Sequence, residues 1–136
     1  MNLSTMPWYN CLAWAFSQVL SKTLPYKKPR DFVLDYTKTI DVAFIEKAEE
    51  FGIKIKKVSS FEELQQYQKG FLVFGYYLEE IQCNGYKDYR DSDFHVVLFH
   101  GKKLFHQNGC GVMPTPVSMK ALQKGYYLDP IYFAVV

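Results

Sequence analysis

The sequence has few cysteines, little net charge and no long apolar run, and each of these features excludes a class of protein. Its three cysteines, Cys11, Cys83 and Cys110, are an odd number without a Cys-x-x-Cys pair, so neither a disulfide framework nor a zinc site is expected. The net charge of +2, from 16 basic and 14 acidic residues, gives no electrostatic basis for binding nucleic acid. No stretch reaches the roughly 20 apolar residues of a membrane-spanning helix, so membrane insertion is not expected.

The first ten residues, MNLSTMPWYN, lack the basic segment and the small-residue cleavage site of a secretory signal. We therefore expect a cytoplasmic protein, or one delivered without a signal of its own, as a phage-encoded protein or an effector would be. The chain contains no repeat and no low-complexity segment. Because two hydrophobic cores would need roughly twice the length, residues 1–136 are predicted to form a single domain. We expect neither a metal nor a cofactor.

Aromatic residues are abundant, with 11 Phe, 11 Tyr and 2 Trp making up 18% of the chain. Hydrophobic residues account for 49%, which is enough for a packed core and excludes a disordered chain. Tyrosine combines an apolar ring with a polar hydroxyl, so its number also favours a groove that is partly open to water.

The spacing of apolar residues predicts an α+β fold, in which helices come first and a mostly antiparallel sheet follows. Helices are predicted at 11–22, 42–52, 61–68 and 118–123, and a short helix is predicted from Pro29. Asn10 and Asp41 are the predicted caps of the first two of these ranges, and a Ser60–Glu63 capping box opens 61–68. Gly52 is predicted to end 42–52, and Gly70 to stop 61–68. Predicted strands are 53–58, 71–78, 94–99, 103–107 and 131–136, while 79–93 and 108–116 are predicted to be loops.

The segment FHVVLFHGKKLFHQ predicts a β-hairpin whose two-residue turn is Gly101-Lys102, of type II′ because glycine comes first. The two residues that flank this turn then pair with each other. Since side chains alternate between the faces of a sheet, this register places His95, His106 and Asn108 on one face. A shift of one residue would reverse the result.

Cys11 and His95 are the first candidates for chemistry. Cys11 falls in the first turn of a predicted helix, where unpaired N–H groups and the helix dipole stabilise a thiolate nucleophile. His95 opens a strand, which holds an imidazole rigidly enough to act as a general base. Each residue also has a structural interpretation, as a small buried apolar residue and as a hydrogen-bonded histidine.

The order of a cysteine at the head of an early helix, a histidine opening a strand and a polar partner on the next strand resembles papain-fold cysteine hydrolases. HVVLFHGKKLFHQ is similar to the base-bearing hairpin of NlpC-type cell-wall peptidases, with one residue fewer between the histidines. YNCLAWAF and FHQNGCG resemble papain, although Leu12 and Ala13 separate the cysteine from Trp-Ala-Phe. A pattern of Asn-Cys near the start, Phe-His later and His-x-x-Gly before Thr-Pro-Val also resembles small bacterial and phage proteins of this fold.

This resemblance implies a papain-like core, in which the nucleophile helix packs on the sheet. It also implies Cys11 as nucleophile and His95 as base, with His106 orienting the base in the NlpC pattern or Asn108 in the papain pattern. The oxyanion hole would combine the Cys11 N–H with one upstream donor. The candidate donors are Thr5, Trp8, Tyr9 and Asn10.

The expected function is therefore that of a thiol-dependent hydrolase that cleaves a peptide or isopeptide bond. Its partner would be a peptide, a peptidoglycan fragment or a protein substrate. An acyltransferase or deamidase would use the same site, because all three reactions pass through an acyl-enzyme. The alternative is a non-catalytic binding or structural module of the same fold, such as a phage or effector accessory protein that holds its partner in a tyrosine-rich groove.

Overall fold

A computed structural model describes residues 11–21, 34, 37–75, 81–83, 86–88, 94–106, 115–125 and 130–136. In these ranges the chain forms four helices and eight strands. Their order is α1 (Cys11–Leu20), α2 (Ile40–Glu50), β1 (Ile55–Val58), α3 (Phe61–Leu64), β2 (Lys69–Gly75), β3 (Ile81–Cys83), β4 (Tyr86–Asp88), β5 (Phe94–His100), β6 (Lys103–His106), β7 (Thr115–Val117), α4 (Met119–Gly125) and β8 (Ile131–Val135).

Six of these strands form one sheet in the order β1-β8-β2-β5-β6-β7, and β3 pairs with β4 in a separate two-stranded sheet. Every pairing is antiparallel, which confirms the predicted α+β class. None of the helices in the described ranges is long and apolar enough to cross a membrane. The short helix predicted from Pro29 lies outside the described residues, apart from Leu34, which is buried.

Alternating residues of the six-stranded sheet supply two apolar clusters, one on each face. The first face, called the α1 face, packs on helices α1 and α2 through Phe71, Val73, Val96, Leu98 and Phe133. The second, called the α3 face, packs on helices α3 and α4 through Leu72, Phe74, Val97, Phe99, Leu104 and Ala134. The sheet is therefore the middle layer of the structure and is covered on both sides.

Helix α1 begins at Cys11, as predicted, and is more deeply buried than an amphipathic helix. Every residue from Leu12 to Gln18 is buried, including Ser17, whose hydroxyl donates a 2.7 Å hydrogen bond to the Ala13 carbonyl. The helix contains no charged residue, so no side chain requires a solvent-exposed face.

The start of α2 differs from the prediction that Asp41 caps the helix. The helix begins at Ile40, with Thr39 at the cap position, and Asp41 lies in the first turn. The Thr39 hydroxyl donates to the Asp41 carboxylate, as does the Val42 N–H at 3.0 Å. These bonds, the one from Thr39 first, lower the pKa of Asp41. An acidic group there also interacts favourably with the helix dipole.

The end of α2 agrees with the prediction that Gly52 terminates it. Gly52 has a φ of +78°, its N–H donates to the Glu49 carbonyl, and the next N–H, of Ile53, donates to the Ala48 carbonyl. This pair of bonds is a Schellman motif, which glycine accommodates because it has no Cβ. Ile53 is buried beside it and directs the chain into β1.

Helix α3 is opened by the predicted cap but is shorter than the predicted 61–68. The Ser60 hydroxyl accepts from the Glu63 N–H at 3.1 Å, while the Glu63 carboxylate accepts from the backbone and hydroxyl of Ser59. These two bonds lower the pKa of Glu63. The predicted stop at Gly70 is wrong: the helix ends at Leu64, and Gly70 lies inside strand β2.

Two predicted loops contain strands. Within 79–93 the chain forms β3 and β4, which pair so that Cys83 faces Tyr86. The two residues between them in the sequence are Asn84 and Gly85, a pair that strongly favours a tight hairpin and that identifies it from sequence alone. Strand β7 begins within the predicted loop 108–116. Its Pro116 is compatible with the position of β7 at the edge of the sheet.

The hairpin of β5 and β6 has the predicted register but a different turn. His100 pairs with Lys103, as predicted, and the pairing continues along both strands. Gly101 and Lys102 have φ values of +56° and +67°. Positive φ at both positions indicates type I′ rather than the predicted type II′, so Lys102 adopts a left-handed conformation that disfavours a residue with a Cβ.

We expect Lys102→Gly to raise the free energy of unfolding by about 0.5 kcal/mol, measured by urea denaturation. Glycine removes a left-handed strain of about 1 kcal/mol, and the greater freedom of the unfolded chain offsets part of the gain. Lys103→Gly is the matched control, because Lys103 lies in a strand, where glycine destabilises. Equal losses of stability in the two variants would contradict the type I′ assignment.

Candidate functional site

Cys11 occupies the position at which the proposed nucleophile is expected, as the first residue of α1. Helix α1 packs on the α1 face of the sheet, where its Phe16 ring lies 5.4 Å from the ring of Phe71. The Cys11 side chain is outside the described part of the chain. So are the candidate oxyanion donors Thr5, Trp8, Tyr9 and Asn10 and the runner-up orienter, Asn108.

His95 is the second residue of strand β5 and is 1% exposed. It pairs with the buried residue Phe74 of β2, and β2 is a central strand of the sheet. A buried imidazole among apolar side chains is held rigidly, because rotation would disturb close packing. This rigidity suits a general base and equally suits a hydrogen-bonded structural histidine.

The alternation of side chains decides which face of the sheet His95 occupies. The register of β2 and β5 is regular, with Val73 opposite Val96 and Phe74 opposite His95. Val96 belongs to the α1 face and Phe74 to the α3 face. His95 therefore lies on the α3 face, opposite to the face that helix α1 covers.

His106 is the last residue of β6 and pairs with Thr115 of β7. Two residues earlier on the same strand, Leu104 pairs with Phe99 and belongs to the α3 face. The register thus assigns position 106 to the face of His95, as the hairpin analysis predicted. The His106 side chain itself is outside the described residues.

This arrangement restricts how Cys11 and His95 could meet. Helix α1 packs on the α1 face and His95 lies on the α3 face, and β2 runs beside β5 along its whole length. In the described residues β6 pairs with β5 only from Leu98 to His100, so His95 lies near the end of the sheet, where β5 begins at Phe94 and β2 ends at Gly75. Both candidate residues lie at the first or second position of their elements, which is compatible with a meeting at that end.

His100, the other histidine of β5 with a described side chain, is half-buried. It lies an odd number of residues from His95 and therefore on the opposite face. Burial first, and the charge of Lys69 on the adjacent strand second, lower the pKa of His100. His100 is a matched control for His95, since it shares the strand but not the face.

A surface groove that the sequence did not predict lies on the α3 face, beside the β5–β6 turn. This feature, called the lysine groove, encloses about 500 Å³ and is lined by Phe61, Gln65, Lys102, Lys103, Leu104, Val117, Ser118 and Met119. Its residues come from α3, the β5–β6 hairpin, β7 and the start of α4. The sequence offered the Lys-Lys pair as a signal, but only the fold brings the apolar residues beside it.

In the described ranges, no three His, Cys, Asp or Glu residues come close enough together to hold a metal ion. Comparisons of this chain with protein-family profiles, with curated proteins and with solved structures gave no match.

Proposed function

We propose that this chain is a thiol-dependent hydrolase that cleaves an amide bond, peptide or isopeptide, through an acyl-enzyme on Cys11. The observation that carries the proposal is that Cys11 begins the buried helix α1, which packs on the sheet whose strand β5 holds the buried His95. A thiol at a helix N-terminus and a rigid imidazole are the two components of thiol catalysis. The resemblance to NlpC-type and papain-like hydrolases supports the same roles.

In this mechanism His95 takes the thiol proton, and the Cys11 sulfur attacks the amide carbonyl. The C–S bond forms, and the tetrahedral intermediate collapses with cleavage of the C–N bond as His95 protonates the leaving amine. Water, deprotonated by the same imidazole, then hydrolyses the thioester and releases the acid and the free thiol. No oxidant, metal or cofactor is needed for these steps.

The third residue of the proposed site orients the His95 ring. We assign this role to His106 ahead of Asn108, because an imidazole can accept from or donate to a second imidazole and the strand context LFH resembles the NlpC pattern. The oxyanion would be bound by the Cys11 N–H together with a donor from Trp8, Tyr9 or Asn10.

A second candidate function is a non-catalytic binding or structural module that retains this fold. It is favoured by one observation, the position of His95 on the face opposite to α1. If the two groups do not meet around the end of β5, His95 is a structural histidine and Cys11 an ordinary thiol. The two candidates therefore differ in the chemistry of the thiol.

The experiment that separates them measures alkylation of each cysteine by iodoacetamide with site-resolved mass spectrometry. We expect Cys11 to react about fivefold faster than Cys83 and Cys110 near pH 6.5. A thiol of pKa about 8.5 is only about 1% thiolate there, whereas pairing with an imidazole increases the thiolate fraction, and the lower intrinsic nucleophilicity of that thiolate removes part of the advantage. His95→Gln should abolish the difference.

His100→Gln is the matched control, because His100 lies on the same strand and faces the other side of the sheet. It should leave the rate at Cys11 unchanged. Glutamine fills most of the histidine volume, and the thermal unfolding of both variants verifies that they fold. Slow, equal alkylation of all three cysteines in the wild-type chain would reject the hydrolase and favour the binding module.

The substrate class is tested separately, by incubating the protein with peptide libraries and with peptidoglycan fragments. A hydrolase releases a new amine and carboxylate from one of these, and Cys11→Ser should remove that activity. Transfer of the acyl group to an added amine, or release of ammonia from a glutamine side chain, would identify the acyltransferase or deamidase that the same site could support.

A further inference from the structure

The lysine groove combines an apolar floor with positive charge at its rim. Leu104 is buried in the floor, and Phe61, Val117 and Met119 are half-buried around it. Partly buried apolar side chains that line one depression are a typical feature of peptide-binding surfaces, because a partner can still remove them from water.

The charge of the groove has one sign. Lys102 and Lys103 are both exposed, and neither forms an ion pair with any residue in the part of the chain that the structure describes. Lys103 pairs with His100 and therefore shares the α1 face, which leaves Lys102 of the turn as the cation of the groove. None of the described lining residues is acidic. The nearby Glu63 carboxylate is engaged by Ser59 and does not line the groove.

The polar side chains of the groove can form hydrogen bonds with a peptide backbone. The Gln65 amide is exposed and offers both a donor and an acceptor. The Ser118 hydroxyl accepts a 3.1 Å hydrogen bond from the Ala121 N–H, so it retains its own O–H to donate. Pairing of a peptide strand with β7 is disfavoured, because Pro116 lies in β7 and has no N–H.

We propose that the lysine groove binds an acidic peptide segment, with a carboxylate at Lys102 and an apolar side chain on the floor. Peptide is favoured over nucleic acid because the site has an apolar floor and a single cation at its rim, while the whole chain has a net charge of only +2. Nucleic-acid sites use larger basic patches, since each phosphate carries a charge.

The groove lies apart from the proposed catalytic residues, although it is on the same face as His95. Leu104 pairs with Phe99, four residues along β5 from His95, which corresponds to about 13 Å of strand. Binding at the groove therefore does not depend on a reactive thiol. The proposal holds for a hydrolase that recognises its substrate away from the cleaved bond and for a binding module.

The test measures the fluorescence anisotropy of a labelled Glu-Glu-Leu-Asp-Glu peptide added to the full-length protein. We expect Lys102→Glu to weaken binding by about fivefold, the effect of losing and reversing one exposed charge. Lys54→Glu is the matched control. It makes the same change of net charge at an exposed position next to β1, at the far edge of the sheet, and should change the affinity by less than about twofold.

Two further peptides separate the contributions of charge and apolar contact. Replacing the central leucine by glycine should weaken binding, and a Lys-Lys-Leu-Lys-Lys peptide should not bind. Equal losses in the Lys102→Glu and Lys54→Glu variants, absence of binding, or tighter binding of a single-stranded oligonucleotide of the same charge would each overturn the proposal. Thermal unfolding of every variant verifies the fold.

Discussion

Phe44→Ala is expected to lower the free energy of unfolding by about 3–5 kcal/mol, the largest stability effect that we predict. Phe44 is fully buried in α2, and its ring lies 4.7 Å from that of Phe133, 5.5 Å from Phe71 and 5.6 Å from Phe16. These rings belong to β8, β2 and α1 respectively, so one side chain joins both helices of the α1 face to the sheet. Removing it leaves a cavity that rigid strands cannot close.

The matched control is Val42→Ala, two residues earlier on the same helix. Val42 is 45% exposed, so its truncation should change stability by less than about 0.5 kcal/mol. Alanine favours the helix in both variants, so helix propensity does not explain a loss of stability in Phe44→Ala. Urea denaturation gives both values, and a loss for Phe44→Ala no larger than that for Val42→Ala would contradict the position of this ring in the core.

The elements that sequence predicted well are those that local signals determine. Residues within one turn or hairpin determine the start of α1 at Cys11 and the termination of α2 by Gly52. The same is true of the pairing of His100 with Lys103. A glycine that must adopt positive φ leaves a signature in the sequence itself. The missed β3–β4 hairpin belongs to the same class, because its Asn84-Gly85 pair is a local signal.

The features that sequence could not predict depend on packing between distant segments. Alternation indicates that His95 and position 106 share a face, but not which face helix α1 covers. That choice is made by contacts such as Phe16 with Phe71, between residues far apart in the chain. The distinction matters for function, because it moves the proposed meeting of Cys11 and His95 from the face of the sheet to its end.

Gly70 shows how the same residue type can carry two meanings. A glycine after a helical pattern predicts a helix stop, and that prediction failed because the reason for glycine here is steric. Gly70 pairs with Phe99 on one side and Ala134 on the other, inside the sheet. The helix α3 residue Leu64 lies over it, at a distance that leaves no space for a side chain.

Gly70→Ala is expected to destabilise the protein by about 3 kcal/mol, at the upper end of the cost of overpacking. A Cβ at this position would lie 2.4 Å from the Phe133 carbonyl oxygen and 2.6 Å from the Leu64 Cδ1. Leu64 could change its rotamer, but the carbonyl belongs to the backbone of β8 and moves only if β2 and β8 separate. Hydrogen exchange should therefore accelerate most at the amides that join these two strands.

Gly52→Ala is the control that distinguishes steric overlap from backbone strain. A Cβ at Gly52 would meet nothing within 4 Å, but the φ of +78° disfavours alanine by about 1 kcal/mol. We expect its loss of stability to be about one third of that of Gly70→Ala and to leave exchange at β2 and β8 unchanged. If the two variants lost the same stability, backbone conformation would explain both. The close contact of β2, β8 and α3 would then not be the reason for glycine at position 70.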